Sequence, residues 1–361
     1  ALDYDGVDCV HGAVVALPAA LALAEREHVS GREFLAAYVI GSDLCSRFGG
    51  VITGAHKGWY TTSIYGAFGA AATAAKLLGL NANATCDALG ICLSQAAGTQ
   101  QPNIEQSLSK RLQSAFAARA GVFAALLAQK GISAPREAIE GRFGMFALYQ
   151  PGEPQRIVED LGKTFLHENT AIKKYPCCAC THASVEATLG LVREYDLKPE
   201  DVTAIEVRHS PFMHRLVGAP FDPGDNQQVS AQFSAQYTVA CALLRRRMSV
   251  ADIQEDAIFD PAIRPIAARV RLVVDESWTS NRAPAAVTLT TRQHGTLIRT
   301  TEKFPWSPED PPTEAALQEK LEACFSEGVH PLNAAQRAQL VQRVNEIENV
   351  QDMGRFFDGI L

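Results

Sequence analysis

Apolar positions between residues 13 and 150 do not fall into single stripes; they surround the segments that carry them. Residues 13–27 (AVVALPAALALAERE), 31–47, 62–80 (TSIYGAFGAAATAAKLLGL), 83–94 and 112–130 (LQSAFAARAGVFAALLAQK) read as helices. They are rich in Ala, Leu and Gly and carry few β-branched runs. Helices that are apolar on most sides belong inside a multilayer helical core. Pro18 marks a kink or a delayed start in the first of them, and Gly131 closes the last. Within 62–80, Gly66, Ala70 and Ala74 recur every four residues, as do Gly69 and Thr73. Side chains that small let two helices approach closely, and plain Ala-rich helix propensity produces the same run.

After about residue 165 the period changes. Residues 202–210 (VTAIEVRHS), 269–275 (RVRLVVD) and 286–292 (AVTLTTR) alternate apolar and polar positions, the pattern of half-buried strands. Gln293-His294-Gly295 reads as a turn into a partner strand at 296–301. Helical stretches at about 182–195 and 230–244 lie among these strands. Pro305, Pro308, Pro311 and Pro312 punctuate the exit, and helices return at about 313–326 and 333–346, where they are expected to pack back on the first part. The predicted fold class is therefore mainly α with an α+β part. A large helical domain comes from 1–165 and 306–361, and a smaller α+β domain from 166–305.

Composition narrows the function. The chain has 361 residues, 20% charged, with a net charge of −7. Its longest basic run is Arg245-Arg246-Arg247, which argues against a nucleic-acid partner. No stretch of about 20 strongly apolar residues predicts a membrane span. The opening ALDYDGVDCVHG has neither the positive nor the apolar region of a signal peptide. Nine cysteines without disulfide-scaffold spacing fit reduced thiols in a cytoplasm. With no initiator Met, the sequence is expected to begin inside a fold, with an N-terminal part missing.

Residues 173–182, KKYPCCACTH, carry the most conspicuous chemistry. Cys177, Cys180 and His182 make at most three metal ligands, one short of a structural zinc site, and no second CxxC completes it. A redox CxxC opens a helix after a strand, and the surrounding sequence is not a βαβ unit. Buried inert thiols are the plain alternative. A helix start lined by Lys173, Lys174 and His182 is also a site for an anion such as a carboxylate. No GxGxxG, GxxxxGK[ST] or GxSxG pattern occurs, so nucleotide binding and that class of serine hydrolase have no support. Asp3 and Asp5 before His11 are a possible acid–base set, or a solvated loop. Lys110 follows the polar run QQPNIEQSLSK between two apolar helices, where it lines either a pocket or an exposed loop. Tyr237 lies on the mostly apolar SAQFSAQYTVACALL, where a tyrosine usually packs in the core with one satisfied hydroxyl.

In order, LDYD with His11 and PAALALAE, GAFGAAATAAKLLGL with ALGICLSQAAG, LSKRLQSAFAARAGVFAALLAQKGI with IEGRFG, KKYPCCACTHASVEA and SAQFSAQYTVACALL resemble one family across nearly the whole chain. It is the MmgE/PrpD family, which includes 2-methylcitrate dehydratase, cis-aconitate decarboxylase and iminodisuccinate epimerase. The resemblance implies a large helical domain with an inserted α+β lid, a homodimer, and no metal or organic cofactor. It implies a small di- or tricarboxylate as substrate. It places Asp3, His11, Lys110 and Tyr237 toward that substrate, with Tyr60, Lys174 and His182 as binding residues. Three positions depart from the family pattern. Gly6 and Val7 stand where members often have Asp and Thr, Tyr60 where His is common, and Cys178 where the decarboxylase has His.

The shared chemistry starts beside a carboxylate and leaves an enolate-like dianion, which needs fixed cations or hydrogen-bond donors. Lys110, Lys174, His182 and the helix start after Pro176 are candidates. The leading expectation is a lyase that dehydrates a 2-methylcitrate-like hydroxy acid, with His11 or Tyr237 protonating the departing hydroxyl. Epimerisation, with Cys178 as a thiolate base, decarboxylation, and a non-catalytic member of the family are the alternatives.

Overall fold

The computed structural model describes residues 10–54, 57–224, 226–328 and 330–360, and the backbone of residues 4–5. In chain order its principal elements are α1 (Ala13–Glu27), α2 (Gly31–Gly50), α3 (Thr61–Leu77), α4 (Ala82–Leu93), α5 (Ser109–Gln129) and α6 (Ala179–Glu194). These are followed by β1 (Val202–His209), α7 (Ala235–Arg245), β2 (Val270–Val274), β3 (Ala285–Thr291), β4 (Gly295–Thr301), α8 (Glu314–Ser326) and α9 (Ala334–Asn345). Short helical turns link them. The chain is mainly helical, with a small mixed sheet of four strands. It divides into two compact units. The first holds Ala1–Gln101, Ser109–Thr170 and His330–Leu361; the second holds Pro102–Leu108 and Ala171–Val329. No described helix is long and apolar enough to cross a membrane.

The first unit is built around α3, in which every residue from Thr61 to Ala75 is buried. Its small residues are there for contact. A Cβ placed on Gly66 would lie 2.7 Å from Val15 Cγ2 of α1, and one on Gly69 would lie 2.3 Å from Cys45 Sγ of α2. One on Gly121 of α5 would lie 2.5 Å from the Ala67 carbonyl oxygen of α3. Three helices thus touch the α3 backbone at close range, and propensity alone does not account for the spacing. Tyr65, Phe48 and Phe68 fill the wider gaps. Pro18 lies inside α1, which already runs from Ala13. Ser30 and Glu33 form a capping box that starts α2.

The sheet of the second unit has the order β2-β1-β3-β4. β1 runs parallel to β2, with Ile205 opposite Val270, and antiparallel to β3, with Ile205 opposite Leu289. β3 and β4 form a hairpin in which Thr291 faces Gly295. Alternation along the strands puts Ile205, Val207, Val287 and Leu289 into one core with Leu189 and Val192 of α6 and Val239 and Leu243 of α7. α8 corrects the expectation that it joins the helical part. It belongs to the second unit. There Lys320 donates to the carbonyl of Lys173, and its Nζ lies 5.7 Å from the Trp306 ring centroid.

Candidate functional site

In the first unit, three of the expected residues gather at the amino end of α3. Tyr60 is the N-cap residue of that helix. It is held there by a short bridge between two stretches of chain. Its N–H donates to Gly98 O at 3.1 Å, and Gln100 N–H donates to Gly58 O at 2.8 Å. Gly98 takes a φ of 128°. A Cβ there would lie 2.8 Å from both Gln113 Oε1 and Ser63 Cβ, so only glycine fits. The backbone N–H of His11 donates to Thr62 Oγ1 at 3.1 Å, which fixes His11 beside the first turn of α3. Lys110, in the first turn of α5, donates through Nζ to Tyr60 Oη at 3.4 Å and lies 4.7 Å from the Tyr60 ring centroid. Lys110 and Tyr60 are only 5% and 4% exposed. A buried ammonium over an aromatic face, next to a helix amino end, makes a positive locus suited to a carboxylate.

Gln113 belongs to the same cluster, and sequence reasoning missed it. Its Oε1 accepts from Thr99 N–H at 2.7 Å, and its backbone carbonyl accepts from Ser63 Oγ at 3.0 Å. Its spacing of three from Lys110 places both on one helix face, a signal the sequence did carry. Asp3 lies outside the described residues.

In the second unit the KKYPCCACTH strip is built differently. Cys178 is the half-buried N-cap residue of α6, and its N–H donates to Gln232 O at 2.8 Å. Cys177 is buried, receives the Thr181 hydroxyl at 3.1 Å, and is pushed up to about 12, by burial above all. Cys180 donates to the Asn281 carbonyl at 3.3 Å. The eight described cysteines are all thiols, and among the described residues no three His, Cys, Asp or Glu side chains cluster as metal ligands.

Lys174, expected to meet substrate, meets Glu186 Oε2 at 2.8 Å, and the Tyr175 hydroxyl donates to the same oxygen at 2.5 Å. The carboxylate matches its charge. His182 is 0% exposed, stacks on Phe304 with ring centroids 5.1 Å apart, and meets Tyr175 edge-on at 5.2 Å. Burial, then the nearby Lys173 charge, hold it well below the usual histidine range. The carbonyls of Cys177 and Tyr175 act in the opposite direction, but neither ring nitrogen has a partner in hydrogen-bond geometry. The imidazole is packed between these two rings. Tyr237 is also 0% exposed, and its hydroxyl donates to the Asp252 carbonyl at 2.5 Å. Its one donor holds the 249–253 turn.

The helical unit carries, at the start of α3, one buried cation beside an aromatic ring, and the second unit carries the mixed four-strand sheet. The chain belongs to the MmgE/PrpD family: residues 2–157 match the MmgE/PrpD N-terminal domain and residues 175–346 the MmgE/PrpD C-terminal domain. A cis-aconitate decarboxylase-like protein of Aspergillus oryzae is 35% identical over 211 residues, covering 54% of this chain and 44% of that protein. Cis-aconitate decarboxylase of Aspergillus terreus is 31% identical over 292 residues, covering 74% of this chain and 59% of its own length. The Homo sapiens cis-aconitate decarboxylase is 26% identical over 368 residues, covering 97% of this chain and 75% of the human protein. The chain thus spans less than two thirds of the fungal relatives that it matches.

Proposed function

We propose that the protein is a lyase acting on a small di- or tricarboxylate, and that its reaction is the dehydration of a 2-methylcitrate-like hydroxy acid. The observation that carries this reading is the buried Lys110, held against Tyr60 at the amino end of α3 with His11 anchored alongside. A substrate carboxylate docks on the Lys110 ammonium. A base then removes the proton from the carbon next to a carboxylate, and that C–H electron pair forms the double bond. The C–O bond breaks, and an acid protonates the departing hydroxyl to give water. The cation and the helix end stabilise the enolate-like charge in between. His11 is proposed as one of the two proton-transfer groups, and Asp3 as its partner.

The names of the relatives favour a second reading, decarboxylation of a cis-aconitate-like acid. There the C–C bond to CO2 breaks, its electron pair stays on carbon, and an acid delivers the proton. Cys178, standing where the resemblance puts a decarboxylase histidine, favours the first reading. The family resemblance further supports a homodimer with an inserted lid domain and no resident metal or organic cofactor. Together with the described free thiols, it supports a cytoplasmic setting.

The test is to incubate the protein with 2-methylcitrate, citrate and cis-aconitate in D2O. Enoate absorbance with loss of water supports dehydration, and CO2 release supports the second reading. Deuterium uptake without either would sink both in favour of epimerisation. No turnover of any acid by the full-length protein would favour a non-catalytic role.

A further inference from the structure

Gln113 holds a buried amide donor that the cluster around Lys110 leaves unused. The residue is 9% exposed, and its Nε2 has no hydrogen-bond partner among the described residues. The orientation of the amide is set by Thr99, whose N–H needs an acceptor and takes Oε1 at 2.7 Å. Turned over, the amide would bring its NH2 against that N–H. The amide lies against Gly98, which also abuts Ser63 in the first turn of α3. Gly98 in turn accepts the N–H of Tyr60, the residue that receives Lys110. An unmet donor at this depth is costly, and a native site retains one where something else completes it.

We propose that Gln113 is a specificity-determining residue that donates from Nε2 to a carboxylate oxygen of the substrate held by Lys110. The inference rests on the polycarboxylate reading. Lys110 supplies charge, which attracts any anion, whereas a fixed amide N–H supplies direction and selects a group that can accept.

The experiment measures calorimetric binding of the unreactive tricarboxylate tricarballylate, and of its monoamide, to the wild type, Gln113→Glu and Gln113→Met. Gln113→Glu keeps the acceptor for Thr99 and replaces the donor by an oxygen. It is expected to weaken tricarballylate roughly 10- to 100-fold and to restore binding of the monoamide, whose NH2 now has an acceptor. Gln113→Met is expected to weaken tricarballylate without that gain, and it serves if the buried carboxylate of the first variant prevents folding. A purely structural glutamine would not exchange one ligand preference for the other. Wild-type binding matched by both variants overturns the Gln113 assignment and leaves the polycarboxylate reading standing. A wild type that binds no polycarboxylate overturns both.

Discussion

In the first unit the most deeply buried charged side chains are Asp43, Arg47 and Lys110. Arg47 is matched in full. Its Nε meets Asp43 Oδ2 at 2.6 Å, and its other nitrogens reach the carbonyls of Ile157, Glu159 and Thr164. Lys110 donates to the Tyr60 phenol and lies over its ring. In the second unit Asp252, 1% exposed, lies between Arg245 and Arg247, and Lys174 is paired with Glu186. The wholly buried His182 and His209 are held below the usual histidine range by burial. In the second unit, then, Asp252 and Lys174 have ionic partners and the two histidines are buried, while Lys173 is buried as well, at 8% exposed. The first keeps a cation against an aromatic face at a helix end, where a substrate carboxylate would gain most. Conspicuous residue types do not by themselves locate a site, because a thiol or imidazole acquires chemistry only from the partners that folding gives it.

Removing Arg47 is the hardest test of that contrast. Arg47→Met leaves the Asp43 carboxylate buried without its cation and strips donors from the 157–164 segment. A loss of about 3–5 kcal/mol is expected in denaturant unfolding. A loss under about 1 kcal/mol would mean that the pair is not desolvated, and that burial of charge in this unit says little about Lys110.

Next in size is the comparison of the two lysines. Lys110→Met is expected to lower kcat/KM by roughly 100- to 1,000-fold, as for a fixed cation facing developing charge. Lys174→Met removes only a half-exposed ion pair and is expected to change it by no more than about threefold. Reversal of the two results would move the carboxylate site to the KKYPCCACTH strip.

The helices and strands were largely legible, because period and turn residues are local properties. The segment 13–27 matches α1 end to end, and 202–210 differs from β1 by one residue. The parallel pairing of β1 with β2 was not legible, since it joins segments some sixty residues apart by register rather than by pattern. Nor was the allegiance of α8, whose described residues include none that is buried. At the site, Lys110, Tyr60 and His11 were named from the sequence and meet at one helix end. Glu186 as the partner of Lys174 could not be read. Gln113 could have been, from its one-turn spacing, had its amide been weighed against the polar loop before it.

The smallest effect concerns His209, and its sign separates buried neutral groups from matched ions. Burial, then the neighbouring His214, lower its pKa from the usual 6.5 to about 4. In that interval the unfolded chain binds a proton that the folded chain refuses, so acid favours unfolding. The stability contribution is fully present above pH 6.5 and is lost as the pH falls toward 4. Between pH 7.5 and pH 5 this one ring is expected to cost about 2 kcal/mol, seen as the difference between the wild type and His209→Leu in how far the urea-unfolding free energy falls. His182 adds a loss of the same sign, so the variant keeps part of the dependence. Parallel stability–pH curves for wild type and variant would show that His209 is solvated or partnered, and that the second unit does not silence its imidazoles by burial.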